Sequence, residues 1–168
     1  MKFYIGSQIG LLEFDDVDIA ISWEEEPVLR KWIKVNITGD EKSINVYKGG
    51  EVLETSSYIF SEIDGIKFAA VTGYDSLYPE FYHYARSKNA SFVVSYNKTD
   101  GMAGFMNIKF RAWSFAQETK LVIFSIIQVS GKVYYGVYGP LYKYKEKNGI
   151  IIEGSSRDFL EVSFDEAS

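Results

Sequence analysis

The chain has 168 residues, of which 46% are hydrophobic and 17% aromatic, and its formal net charge is −5. This length and apolar content predict one domain, residues 1–168, with a packed core. An acidic chain lacks the basic face of a nucleic-acid binder, and no apolar run reaches the roughly 20 residues of a membrane span, so neither partner is expected.

Cysteine is absent and histidine occurs once, as His83. Disulfides, thiolate metal sites and a thiol nucleophile are therefore excluded. A zinc site would have to use carboxylates, which match poorly the nitrogen and sulfur ligands that zinc prefers, so no metal is expected. The N-terminus lacks a basic segment followed by an apolar one, which favours a cytoplasmic protein, and nothing in the sequence indicates a cofactor.

The first part of the chain is predicted to form strands that face water on one side. Alternating apolar and polar residues indicate strands at residues 2–9, 16–22, 31–38 and 43–47. In the third strand the polar positions are assigned to the solvent-facing side, and they are Lys34, Asn36 and Thr38.

The middle of the chain is predicted to form buried strands and two helices. Residues 66–72, 90–96 and 121–129 are apolar at nearly every position, which indicates strands covered on both faces. Helices are predicted at residues 79–88 and 102–118. The first helix begins at Pro79, where proline suits the first helical position, with Glu80 near the positive end of the helix dipole.

The remaining segments are predicted to be loops and short strands. Residues 97–101 are interpreted as a loop and helix cap. Gly- and Pro-containing turns separate short strands, which are predicted at residues 133–138, 141–144, 150–153 and 159–164.

The turn between the central strand and the first helix carries the most specific motif. From Gly73 to Glu80 it reads GYDSLYPE. This turn resembles the nucleophile segment of the nitrilase (carbon–nitrogen hydrolase) superfamily, whose usual form is Cys-Tyr-Asp-x-Arg-Phe-Pro-Glu. Gly73 stands at the cysteine position and Leu77 at the arginine position.

Three weaker matches follow the family order along the chain. Residues 18–24, DIAISWE, are similar to the family's second strand, whose last residue is the general base, Glu24 here. An acidic run such as 24–26 is also typical of a solvated loop, and this alternative stays open. Residues 50–54 resemble the segment before the family's catalytic lysine, but no lysine occurs from Glu51 to Ile66. Residues 116–118 match in part a segment whose glutamate corresponds to Glu118.

The resemblance implies an α+β fold, a trimmed α-β-β-α sandwich with two mixed β-sheets. The outer helices are expected mainly on the C-terminal half, because the strands of the first half alternate and those of the second half do not. The first sheet is therefore expected to be open to solvent on its outer side. The resemblance also implies a vestigial pocket whose residues are Glu24, Gly73, Tyr74, Asp75, Glu80 and Glu118.

The same resemblance implies that the chain is a non-catalytic ligand-binding or assembly module. Family chemistry uses a thiolate, a glutamate that takes its proton and a lysine that holds the oxyanion. Gly73 has no side chain and the lysine is missing. Three hydroxyls lie nearby, on Thr72, Tyr74 and Ser76, but each needs an adjacent base, and His83 is expected at the surface. The alternative is a divergent carbon–nitrogen hydrolase that acts on amides or nitriles with Glu24 and a water or hydroxyl.

Two partner classes follow from the resemblance. The two retained helices form the dimer contact in the family, which implies a homodimer through residues 79–88 and 102–118. Phe81, Tyr82 and Trp113 are expected to supply aromatic surface for that contact. A small-molecule ligand is the second class.

Overall fold

The computed structural model describes residues 1–6, 17–23, 33–37, 43–49, 51–155 and 160–163. The strands of these segments form two mixed sheets of six strands each, and two α-helices accompany them. The predicted α+β sandwich is confirmed. The assignment of residues 1–168 to a single domain stays a prediction.

The first sheet is built from both ends of the chain. Its strands are β1 (Lys2–Ile5), β2 (Ile19–Ser22), β3 (Ile33–Ile37), β4 (Ile44–Lys48), β5 (Glu51–Ser56) and β12 (Leu160–Ser163). Their order is β12-β1-β2-β3-β4-β5. The three strands β1, β2 and β3 are parallel and the other pairs are antiparallel.

The second sheet comes from the rest of the chain. Its strands are β6 (Tyr58–Ile63), β7 (Ile66–Thr72), β8 (Phe92–Thr99), β9 (Val122–Val129), β10 (Lys132–Tyr138) and β11 (Ile150–Ser155). Their order is β11-β10-β9-β8-β7-β6, with β7, β8 and β9 parallel. The crossovers between these parallel strands are the helices α1 (Pro79–Ser87) and α2 (Met102–Thr119).

The inner faces of the two sheets share one core. Phe3 of β1 packs against Phe92 and Phe124, with ring centroids 4.9 and 4.8 Å apart. Along β7, Phe68 faces this core and the next residue, Ala69, faces the helices. The central strands β7, β8 and β9 are therefore largely buried on both faces, as their apolar sequences predicted.

The helices cover the outer face of the second sheet. Tyr82 of α1 and Phe115 of α2 pack together above β7 and β9, with ring centroids 4.5 Å apart. This placement confirms that the described helices belong to the C-terminal half. Neither described helix combines the length and apolar character that a membrane crossing would require. Tyr82 is fully buried, so its predicted role as dimer surface is wrong, because its ring fills the layer between helix and sheet.

The predicted wet face of the first sheet is also wrong at the described positions. Lys34 and Asn36 are 3% and 0% exposed, and Ala20 and Ser22 on the neighbouring strand are buried as well. Thr38 lies outside the described residues. The prediction assumes that the polar positions of an alternating strand face water. In the structure the ammonium of Lys34 lies instead over the ring of Tyr47, 5.5 Å from its centroid.

Two further segments differ from prediction. Residues 97–99, interpreted as loop, extend β8, because each of them pairs with β9 up to Thr99 and Val129. Residues 141–144, predicted as a strand, form a turn, in which the carbonyl of Pro140 accepts hydrogen bonds from Lys143 and Tyr144. The edge strands β5 and β6 were not assigned from the sequence.

Candidate functional site

The carboxyl ends of the parallel strands of both sheets lie at the same end of the sandwich. Phe3 packs near the start of β8 and β9, whereas Trp23, directly after β2, stacks on Tyr135 with ring centroids 6.2 Å apart. Tyr135 pairs with Ile126 in the second half of β9. The end of β2 therefore lies over the same region as the ends of β8 and β9. Ligands of open α/β sheets bind at such carboxyl ends.

Gly73 lies at this end, where β7 passes into a 3-10 turn that spans Gly73–Leu77. Its φ is +71°, a left-handed conformation that glycine adopts without the cost of a side chain. A Cβ built on Gly73 would meet no atom of the described residues within 4 Å. A side chain at position 73 would therefore have room, and none is present because the residue is glycine.

A network of buried polar groups fixes the turn below Gly73. The hydroxyl of Ser76 is 2.6 Å from the carbonyl oxygen of Gly73 and 2.9 Å from the amide oxygen of Asn97. The hydroxyl has one proton, so the second contact is a hydrogen bond when the Asn97 amide turns its nitrogen toward Ser76. Tyr82 donates its hydroxyl proton to the carbonyl of Ser76 at 2.7 Å, and burial raises the pKa of this phenol. These contacts connect the turn to β8 and to α1.

The hydroxyls near Gly73 lack an adjacent base among the described residues. Thr72 is buried and its hydroxyl is 3.4 Å from the carbonyl of Ser57, while Tyr74 is 81% exposed. The imidazole of His83 is 2.8 Å from the carboxylate of Glu118, and both side chains are half exposed. His83 therefore lies on the surface, as predicted, and its partner there is a carboxylate.

The structure brings together only part of the predicted pocket. Gly73, Tyr74 and Asp75 are consecutive in the turn, and Glu80 is exposed in the first turn of α1. Glu118 lies near the last turn of α2, which leads to the start of β9 at the opposite end of the sheet. Glu24 lies outside the described residues, although the preceding residue, Trp23, is at the pocket end.

Sequence reasoning missed two polar residues at this end. Tyr96 donates its hydroxyl proton to the side-chain oxygen of Gln128 at 2.6 Å, on the inner side of the second sheet. Gln128 is the one amide in the apolar run 121–129, and that position could have indicated a polar end to the strand. Within the described residues, no group of three or more His, Cys, Asp or Glu side chains is placed to hold a metal.

Comparison with solved structures identifies the fold. The chain is similar to the E41Q mutant of the amidase from Nesterenkonia sp. AN1, with a TM-score of 0.69, 14% identity and coverage of 99% of this chain and 91% of that one. A carbon-nitrogen hydrolase from Helicobacter pylori G27 gives 0.69 and 10% identity over 97% and 90% of the two chains. Nit3 of Saccharomyces cerevisiae, of branch 10 of the nitrilase superfamily, gives 0.70 and 12% over 96% and 89%.

No family model and no curated protein matches the sequence. At these low identities the structural likeness shows the fold alone. The chain therefore has the fold of nitrilase-superfamily amidases and carbon–nitrogen hydrolases.

Proposed function

We propose that this chain, which has the nitrilase-superfamily fold, is non-catalytic and works as a ligand-binding or assembly module. The observation that supports this most is Gly73, which occupies the turn between β7 and α1 with φ +71° and open space before it. A nucleophile at this turn would need a side chain, but glycine supplies only hydrogen.

Other groups that amide hydrolysis uses are absent from the expected positions or are already hydrogen-bonded. Thiol chemistry needs a thiolate, a base and a donor for the oxyanion. The hydroxyls of Ser76 and Thr72 are already engaged with backbone carbonyls. No lysine occurs from Glu51 to Ile66, where the family resemblance places the oxyanion donor. Restoring one group is therefore not expected to restore the reaction.

The experiment is a hydrolysis assay with amides, nitriles and carbamoyl compounds on the wild type and on Gly73→Cys. We expect no hydrolysis from either and no acyl adduct on the new thiol by mass spectrometry, because a missing oxyanion donor costs about 10²–10³ in rate. Gly73→Ala is the control, because it also places a side chain at this left-handed backbone position but has no thiol. Acyl-enzyme formation by Gly73→Cys would contradict the proposal.

A hydrolase without a cysteine is the second candidate, and it is favoured by the likeness to amidases and carbon–nitrogen hydrolases. In that case Glu24 would act with a water or a hydroxyl as nucleophile. Turnover that disappears in Glu24→Gln and persists in the adjacent Glu25→Gln would establish this candidate.

We further propose a homodimer that contacts through α1 and α2. Met102, Met106 and Phe110 recur every four residues on α2, so they share one face, and they are 55%, 38% and 56% exposed. Contiguous exposed apolar side chains of this kind mark interaction surfaces. The cytoplasmic location stays a prediction, which fractionation of cells would test.

A further inference from the structure

A cavity of about 320 Å³ lies on the outer face of the second sheet, away from the inner face on which Tyr96 and Gln128 lie. The first half of α2 covers it with Phe105 and Lys109. Its floor and wall are strands β9, β10 and β11, which contribute Ser125, Tyr134 and Glu153. Its volume falls at the small end of the range of ligand pockets, about 300–1,000 Å³.

Ser125 is a buried polar residue at the floor of this cavity. The residue is 1% exposed, and its hydroxyl makes no hydrogen bond with any described residue. Gly136 pairs directly with Ser125 across β9 and β10 and contributes no side chain of its own, and the Tyr138 side chain occupies the space beside it. A Cβ at Gly136 would lie 2.2 Å from the hydroxyl of Tyr138. The hydroxyl of Ser125 is thus left without a partner among the described residues, and a buried hydroxyl left unpaired is costly.

The charged groups of the cavity neutralise one another. The ammonium of Lys109 is 2.7 Å from the carboxylate of Glu153, and the hydroxyl of Tyr138 donates to the same carboxylate oxygen at 3.0 Å. The lining residues therefore offer no net charge to a ligand, and the ammonium of Lys132 lies outside the lining, 5.2 Å from the centroid of the Tyr134 ring. Two aromatic rings of the lining form a pair, because Phe105 and Tyr134 pack with ring centroids 4.8 Å apart.

We propose that this cavity binds a neutral aromatic molecule that carries one hydroxyl group, with that group hydrogen-bonded to Ser125 and the ring against Phe105 and Tyr134. A hydroxyl matches Ser125 because each can donate or accept. An anion or a cation would have to displace one member of the pair between Lys109 and Glu153, so charged analogues bind more weakly. The site is independent of the turn at Gly73 and of the proposed loss of catalysis.

Titrations followed by two-dimensional NMR of the full chain test this site with four probes of one shape. Benzyl alcohol is expected to shift the amide signals of Ser125, Tyr134 and Gly136 saturably at millimolar concentration. Toluene, which lacks the hydroxyl, should bind about three- to tenfold more weakly, the value of one hydrogen bond. Benzylammonium and benzoate should bind more weakly than benzyl alcohol.

Matched serine variants distinguish binding in this cavity from nonspecific binding to the protein surface. Ser125→Ala should bind benzyl alcohol no better than toluene, and it should fold as well as the wild type because its hydroxyl has no partner. Ser95→Ala, at the position of β8 that pairs with Ser125, does not line the cavity and should bind as the wild type does.

Charge variants provide a second readout. Lys109→Met should shift preference toward benzylammonium and Glu153→Gln toward benzoate, since each leaves one charge unpaired. Equal affinity of benzyl alcohol for the wild type and Ser125→Ala, shifts that map elsewhere, or no saturable shifts would overturn the proposal.

Discussion

Tyr82 connects the helical layer to the turn at Gly73. Its ring is fully buried against Phe115, and its hydroxyl donates to the carbonyl of Ser76 at 2.7 Å. Burial raises the pKa of the Tyr82 phenol, and a hydrogen bond with Ser95 acts in the opposite direction. The folded state therefore favours the neutral phenol over the phenolate.

This preference predicts a loss of stability in alkaline solution. Because the folded-state pKa lies above the value of about 10 of an unfolded tyrosine, the stabilisation is complete below about pH 10 and is lost as the pH rises toward the folded-state pKa. In urea unfolding above about pH 10, the free energy of unfolding should fall less steeply for Tyr82→Phe than for the wild type.

Tyr138 keeps part of this dependence in the variant, since burial and the charge of Glu153 raise its pKa as well. Tyr142 is 66% exposed, so Tyr142→Phe is the control and should follow the wild type. An identical slope for Tyr82→Phe and the wild type would contradict the role of this phenol.

At the scale of residues, the sequence predicted that Gly73 lies in a turn, but it did not predict which side chains hydrogen-bond to that turn. Glycine at the end of an apolar run indicated a turn, and the positive φ agrees. The contact between Ser76 and Asn97 joins residues 21 apart, so it depends on the crossover through α1 and on the pairing of β7 with β8. No local pattern encodes such a pair.

At the scale of elements, the segments bounded by glycine or proline were predicted best. Strand β7 has the predicted bounds because glycines flank an apolar run, and both helices match within a residue of their predicted ends. The strands β5 and β6 are each at one edge of a sheet, where polar residues are tolerated, and neither EVLETS nor YIFSEI alternates regularly between apolar and polar residues. In residues 141–144 the turn at Pro140 overrides the apolar side chains of Leu141 and Tyr142, which are exposed.

The start of α2 fits tightly against the end of β8. A Cβ at Gly104 would lie 2.0 Å from the hydroxyl oxygen and 3.1 Å from the Cβ of Thr99. We therefore expect Gly104→Ala to lower the free energy of unfolding by about 1 to 3 kcal/mol, the usual cost of overpacking, although alanine favours helix formation.

Thr99→Ala removes the closest atom, so the double variant should recover most of that loss. Urea unfolding of the wild type, both single variants and the double variant forms a complete cycle. Additive effects of the two substitutions would show that Gly104 and Thr99 do not clash.

At the scale of the whole molecule, the order of the weak family matches along the chain predicted the fold better than the identity of any single residue. The four family matches occur in family order, and the structure has the corresponding fold at 10–14% identity to the solved structures compared above. Polarity alone did not predict exposure, as the buried Lys34 and Asn36 show. The burial of a strand face depends on what the rest of the chain packs against it, which alternation within one strand does not record.

The exposed face of α2 predicts how two molecules associate. Phe110 is 56% exposed in the middle of α2, and a carboxylate at this position would have to be desolvated in a contact between two copies of the helix. We therefore expect the wild type to sediment as a dimer at micromolar concentration and Phe110→Glu to sediment as a folded monomer. Val52→Glu is the matched control, because Val52 is similarly exposed, at 55%, on the edge strand β5, outside the helical layer. This variant should remain a dimer. A monomeric wild type, or equal weakening by both substitutions, would show that α1 and α2 do not form the contact.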